Sequence, residues 1–581
     1  MLQKRVGKKS VLVLLGTIGC AWLTPTQILP AQDAAAPAKP SAYAPAHPYP
    51  PLSPRLPYDV NVEEVRQLVN EGEIPQAQRL FDVLAWQAFV ALNWPANDDG
   101  RPDWTKNMSD NTTWRVWNYW RSSGSIFLPF GAAPEPWDGK LHHTVKFQTK
   151  ANAPSHTGIR DNFEAFTGPL VDQNGNWARF EIRVNKEEFD YILDNELYSQ
   201  DGQAAFSHRE TNNEVNLPLN GNGKHGAIEV KLAWKQLAGS DDPSRFYTTD
   251  IEVTPSEPQG YQPNPKKIHV GLVGMHIAMR TQSSPEWIWS TFEQIDNVRV
   301  NKGPDGKSIQ PNFVNPNSTG PFNVLPPKNA VTGPNGFPVA SSTNPTTWIE
   351  SLTTTPTQVQ RVDVPTQPQL NPLDKSLGII AREVTAEVQA MLKKQNSVFQ
   401  YYELIDTQWP LHPNSPAYAG GSGSAPESVR FKTPGEMVPV FLVNTTMETY
   451  FQLGEQPAGN LEQDDRLAQG NSIVDSTIIN ATESCVGCHY SSGITVGFKK
   501  NDDGSEVLVN GLPVPIFGEN NHFGKTGNAN FSWMLQQEPQ AKPRRAKAAA
   551  AAAVDPKAKD QADVAALQKF LDQGSPKTSQ N

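Results

Sequence analysis

The sequence predicts an α+β protein: a large, antiparallel-sheet-rich domain with packed helices, followed by a small, mostly α, loop-rich C-terminal segment. Three observations predict it. Apolar and polar residues alternate in several runs between Trp177 and Asn297, with polar turn clusters between them, the pattern of antiparallel strands. Apolar residues at helical spacing appear on both sides of that stretch. Proline (51) and glycine (41) together make up about one residue in six of the 581, so turns and long loops are frequent. A chain of this length is enough for about two to four domains.

The elements follow in order. Lys4, Arg5, Lys8 and Lys9 precede a short apolar run, Val11 to Leu23, and small residues around Ala31 offer a cleavage site. Residues 1–31 therefore read as an export signal, which directs the chain to the periplasm or the exterior. Pro25 breaks the apolar run early, and no other stretch approaches the ~18 apolar residues of a membrane span, so none is expected in the mature chain. A variant is lipid attachment at Cys20, after Thr17-Ile18-Gly19. Residues 32–57 are Ala/Pro-rich and read as an extended linker.

The large domain spans 58–440. A helix is predicted over Ile74 to Asn93, where Phe81, Leu84, Ala85, Ala88 and Leu92 share a face and Pro95 follows. A second, aromatic helix is predicted over Thr113 to Arg121, from Trp114, Trp117 and Trp120. Strands are expected at Ala178–Val184, Ile228–Trp234, Phe246–Val253 and Ile268–Met279, then through Trp287-Ile-Trp. Residues 302–373 read as one long loop that wraps the surface or marks a hinge. Asp374 to Lys394 is a further helix, with Ile380, Val384, Val388 and Leu392 on one face. Short strands and loops follow to 450; the C-terminal segment is set at 441–535, and the Lys/Arg/Ala-rich remainder, 536–581, as a disordered tail.

A net charge of −10 with a pI near 5.6 argues against nucleic-acid binding, which needs a clustered basic surface. Cysteine use is more telling. Exported proteins use cysteines for disulfides, yet of three here Cys20 lies in the signal, which leaves only Cys485 and Cys488. Two residues apart, they staple nothing distant.

Ser484-Cys485-Val486-Gly487-Cys488-His489 contains C-x-x-C-H, the attachment pattern of c-type haem. The chemistry explains the spacing: two thiols add across the two vinyl groups along one edge of the macrocycle, and the adjacent histidine becomes the proximal iron ligand. With 3 Cys and 11 His in the chain, chance placement gives this pattern in roughly 3 of 10,000 such sequences. Val474, Ile478, Ala481, Cys485 and Cys488 share one helical face leading into it, with Asn471 or Ser472 available as cap. The alternatives carry less. A thioredoxin-like dithiol wants a βαβ setting, a zinc site wants a fourth ligand, and a local disulfide leaves the histidine unexplained.

On these residues the chain resembles a bacterial periplasmic mono-haem c-type cytochrome. The resemblance implies one covalent haem c, thioether bonds at Cys485 and Cys488, and axial ligation by His489. A softer likeness, through Trp287-Ile-Trp-Ser-Thr-Phe-Glu-Gln-Ile-Asp-Asn, is to large exported cytochrome-like proteins of unknown role. The chain departs from small cytochromes c in the length that precedes the motif, and from di-haem peroxidases in having no second C-x-x-C-H. The expected function is single-electron transfer with a redox partner protein. Alternatives are a haem-dependent oxidase or peroxidase whose substrate the large domain binds, and a non-enzymatic haem-bearing binding or sensor protein. Candidates for the sixth iron ligand are Met447, His276, Met275, Met279, His522 and Met534.

Other features have plainer readings. Trp114, Trp117 and Trp120 form a stacking platform or, more commonly, a buried face. Glu293 and Asp296 are an acid/base pair or solvated surface and cap. Asp98-Asp99-Gly100 and Asp502-Asp503-Gly504 are turns, and Gly420-Gly-Ser-Gly is a flexible loop.

Overall fold

The computed structural model describes residues 48–140, 146–147, 168–253, 266–328, 331–332, 338–340, 348–361, 372–411, 437–439, 442–451, 485–489, 492–509, 511–518 and 527–544. The expected export signal with Cys20, the expected helical lead from Asn471 to Ala481, the expected Gly420 loop and His522 lie outside the described residues, as does everything beyond Arg544.

Helix α1 (Val62–Asn70) starts where Asn61 accepts a hydrogen bond from the Glu64 amide, with Glu63 and Glu64 at its positive end. Helix α2 (Ile74–Leu92) has Pro75 in its first turn, where a missing N–H costs nothing. Residues 48–57, expected as linker, lie against these helices: Tyr49 is buried, and Leu52 and Leu56 pack on the same core. The second aromatic helix does not form. A four-residue 3-10 turn, Val116–Tyr119, stands in its place and leads into β1 (Arg121–Ser122) and a single turn, α3 (Ser123–Ile126). Tertiary contacts use the aromatic cluster instead. The buried Trp117 ring packs against Trp234 and Tyr247, and its indole donates to Asn93 Oδ1 at 3.0 Å.

Among the described residues the sheet comprises nine strands. In chain order they are β1, β2 (Lys146–Phe147), β3 (Arg179–Val184), β4 (Ile228–Gln236), β5 (Thr248–Val253), β6 (Lys266–Met279), β7 (Ile288–Gln294), β10 (Tyr402–Pro410) and β11 (Met437–Val438); the two-residue β8 (Val331–Thr332) pairs instead with β9 (Pro338–Ala340). Their spatial order is β1-β3-β4-β6-β7-β10-β11, with β5 also on β6. Every pairing is antiparallel except β2 with β5. Between β3 and β4 the chain forms α4 (Lys186–Asp194) and α5 (Gln200–Ser207), capped by Asn185 and Ser199. The helix α6 (Pro372–Lys394) begins two residues before its predicted start.

The two faces of the sheet are covered differently. One face, with Val230, Leu232, Met275, Ile277, Phe292 and Leu404, packs against α2 and α6 in the main apolar core. The other is covered by loops: Phe313 and Val359 from the described parts of 302–361, then residues 442–451, then the C-terminal segment. This double cover explains why β7 is buried throughout. The described C-terminal segment holds α7 (Cys485–His489), β12 (Thr495–Phe498) paired with β15 (Pro515–Phe517), β13 (Leu508–Val509) paired with β14 (Leu512–Pro513), and α8 (Trp533–Gln537). Packed chain runs on past 536, where a tail was expected. Gln536 and Gln537 are buried, Gln536 Oε1 accepts from the Gly493 amide, and the Gln200 amide donates to Gln540 O at 3.1 Å. Polar side chains hold this stretch, so apolar periodicity does not reveal it.

Candidate functional site

Cys485, Cys488 and His489 lie within the five residues of α7. Helical geometry sets Cys485 and His489, four apart, on one face. The role expected for the Cys488 thiol falls on a side chain outside those described. Ser492 ends the helix: its amide and hydroxyl both donate to His489 O, at 3.2 and 2.9 Å.

Three anchors fasten α7 to the loop-covered face of the sheet. The Val486 amide donates to Gln408 Oε1 at 2.9 Å, and the Gln408 amide group donates to Pro439 O at 2.7 Å. The Val486 side chain is buried among Trp287, Trp289, Phe531 and Met534. Cys485 Sγ, half-buried, lies 3.9 Å from Leu442 O.

His489 is held most tightly. Its Nδ1 donates to Phe531 O at 2.8 Å, and its ring lies 4.5 Å from that of Trp289, centre to centre. Burial pushes the imidazole down to about 4, opposed by the Phe531 carbonyl; Lys231 and His276 push it further down. The ring is therefore neutral at pH 7, with its proton on Nδ1 and a lone pair on Nε2. The carbonyl that sets this tautomer stands on unusual backbone. Asn530 (φ 53°) and Phe531 (φ 71°) are consecutive non-glycine residues in the left-handed region, a conformation that is costly for a bulky side chain. Tertiary bonds hold it: the Trp287 indole donates to Asn530 O at 3.1 Å, and Leu217 N donates to Asn530 Oδ1 at 3.1 Å.

Beside Trp289 on the same face lies a polar row. Register pairs Lys231 with His276 and His276 with Thr291, while Trp289 faces Ala278. His276 is thus the diagonal neighbour of Trp289, within reach of long side chains. Its Nε2 is buried without a hydrogen bond, 3.4 Å from Glu448 Oε2. Burial opposes charge on Glu448, but His276, Lys231 and the Asn444 amide together hold its pKa below the usual carboxylate range. Residues 444–448 sit this close because residue 274 is glycine; a Cβ there would clash with Thr446 Oγ1.

The candidate sixth ligands separate cleanly. Met275 and Met279 face the opposite, helix-covered core, where Met275 Sδ accepts from Asn93 Nδ2 at 3.6 Å. Met534 is buried with Phe531 and Leu535, and Met447 with Phe180 and Val273. His276 is the described histidine candidate on the face that carries His489, its Nε2 turned to Glu448.

Other expectations meet different outcomes. Glu293 and Asp296 are neither solvated nor an acid/base pair; they are buried in internal ion pairs. Asp296 binds Arg245 through both oxygens, at 2.6 and 2.8 Å, and Glu293 accepts from Thr445 and pairs with Arg361. Trp117 and Trp120 are buried and offer no platform. The two Asp-Asp-Gly stretches are turns, with Asp99 and Asp503 accepting from Arg101 N and Ser505 N. Gln408, Trp289, Phe531 and Glu448 were not foreseen, because a backbone carbonyl and residues remote in sequence leave no local pattern.

Among the described residues no three His, Cys, Asp or Glu side chains converge as a bare metal ion would require. A haem iron brings four nitrogens of its own and needs one or two protein ligands, which the neutral, oriented His489 fits. No helix among the described residues is long and apolar enough to cross a membrane. No family model, curated protein or solved structure matches the chain.

Proposed function

We propose that this chain is an exported c-type cytochrome that binds one haem covalently through Cys485 and Cys488, ligates its iron with His489, and passes single electrons to or from a partner protein. The observation that carries this reading is the hydrogen bond from His489 Nδ1 to the Phe531 carbonyl. Metal-ligating histidines donate their second nitrogen to such an acceptor, which fixes tautomer and ring orientation and raises ligand basicity.

When bound, the group supplies an iron centre that exchanges one electron at a potential set by its ligands and surroundings. The chain's own residues do the rest. Phe531 aims the imidazole, and burial keeps it unprotonated so that Nε2 is available at neutral pH. Gln408 and Val486 fix the helix to a rigid sheet, which limits reorganisation when charge changes. His276, in the polar row on the same face, would be able to offer the iron a second nitrogen ligand.

One observation favours a second reading, a haem-dependent oxidase or peroxidase. His276 stands beside the carboxylate of Glu448, and a histidine–carboxylate pair off the iron can handle protons. Coordination discriminates: a six-coordinate low-spin spectrum that His276→Ala converts to high-spin supports transfer, whereas a five-coordinate wild type supports catalysis.

Attachment is tested with protein made alongside haem-maturation factors and stained for haem on a denaturing gel. The wild type should retain haem, and Cys485→Ala/Cys488→Ala should lose it. Covalent haem in the double variant would falsify the assignment.

A further inference from the structure

Away from α7, a cavity of about 440 Å³ opens between the end of α2, the start of α4 and the loop that carries Trp104. That volume lies within the range of small-molecule sites and suits a ligand of one or two rings. None of its lining residues belongs to α7 or to the strap that holds His489.

Two aromatic surfaces face this cavity and remain in water. Trp104 is 63% exposed and Tyr58 45%. A flat apolar face left exposed at the mouth of a pocket marks a place where something stacks. The Tyr58 wall is rigid. Its ring stacks on His225 at 4.2 Å and 8°, its hydroxyl donates to Gly223 O at 3.0 Å, and its carbonyl accepts from Asn220 Nδ2 at 3.1 Å. His225 Nδ1, buried in the same wall, has no hydrogen-bond partner.

The charges specify the ligand further. Arg55, Arg101 and Lys186 border the cavity against one carboxylate, Glu187, in a chain whose net charge is −10. Arg101 is neutralised by Asp99, and Lys186 by Asp190. Arg55 has no ion pair among the described residues; its guanidinium lies 6.0 Å over the Trp104 ring. Among the described residues Arg55 is thus a cation without an ion pair beside an exposed indole, a site for one negative charge on a flat molecule.

We propose that this cavity binds a planar aromatic monocarboxylate of one or two rings, stacked on Trp104 with its carboxylate on Arg55. The site is independent of the haem reading. Neutral stacking ligands such as sugars satisfy the aromatic walls but leave Arg55 unmatched.

The test is isothermal titration calorimetry on the full chain with 2-naphthoate, its neutral primary amide, and cellobiose. The expected result is saturable binding of 2-naphthoate, with the amide and cellobiose at least about tenfold weaker. Arg55→Ala and Trp104→Ala should each weaken 2-naphthoate by about tenfold or more while the melting temperature stays put, since both side chains are exposed. Absence of saturable binding, equal binding of the amide or cellobiose, or indifference to both substitutions overturns the proposal.

Discussion

The two faces of the central sheet differ in how their covers are fastened. The helix-covered face is an apolar core: Trp86 packs edge-on against Phe89 and Phe292, and Phe81 stacks on Trp409 at 4.4 Å. Its few polar groups tie helix to helix or helix to strand, as Arg79 does to Glu387 at 2.6 Å and Gln78 to Asp406 at 2.9 Å. The loop-covered face adds to its apolar clusters a dense set of side-chain hydrogen bonds. Asn444 alone makes four, donating to Thr291 Oγ1 and Phe292 O and accepting from both N and Oγ1 of Thr446. The candidate site sits on this second face. Apolar packing is non-directional and stabilises the scaffold, whereas hydrogen bonds fix direction, which orienting an imidazole requires.

The largest contrast should come from Trp86→Ala. Truncating a fully buried indole on the helix face should cost about 3–5 kcal/mol in chemical denaturation, with a loss below about 1 kcal/mol contradicting this account of the core. Next is Asp82, on the same face, whose pKa burial raises to about 7 despite Gln78. Folding favours its protonated form, so the stability it contributes is whole below the unfolded value of 3.8 and is lost as pH rises through about 7. Asp82→Asn should therefore gain on the wild type across that window, by on the order of a few kcal/mol. A difference that stays flat with pH would show that the carboxyl is not desolvated.

Asn444→Ala sharpens the comparison on the other face. It leaves buried partners unsatisfied and should cost about 1–3 kcal/mol. Hydrogen exchange should rise in 442–451 and α7 while α2 and α6 stay protected, and equal deprotection of α2 would mean that the two faces are not separable. The smallest effect is expected from Lys267→Ala, at an exposed ion pair with Asp250, which should shift stability by under about 0.5 kcal/mol.

The sequence alone was enough for the elements whose pattern is local. The α2 and α6 periodicities and the runs of β3 through β7 are readable because their apolar residues lie close together in sequence, at helical spacing in the helices and as apolar or alternating runs in the strands, even where, as in β7, both faces are buried. The helices α4 and α5 escaped because the stretch around them reads as strand. The Val116–Tyr119 turn was misread as helix because aromatic spacing near three also serves a bent loop with Trp117 buried. Glu293 and Asp296 look solvated until Arg361 and Arg245 arrive from elsewhere in the chain.

The same division runs through the candidate site. Five contiguous residues, Cys485 to His489, carry the proposed chemistry in their spacing, because the order of two thiols and an imidazole along a chain is a covalent fact. Which nitrogen of His489 carries the proton, and which histidine shares its face of the sheet, was decided only by the fold. Those properties depend on Phe531, Trp289 and His276, whose approach to the helix is set by strand register and packing across hundreds of residues.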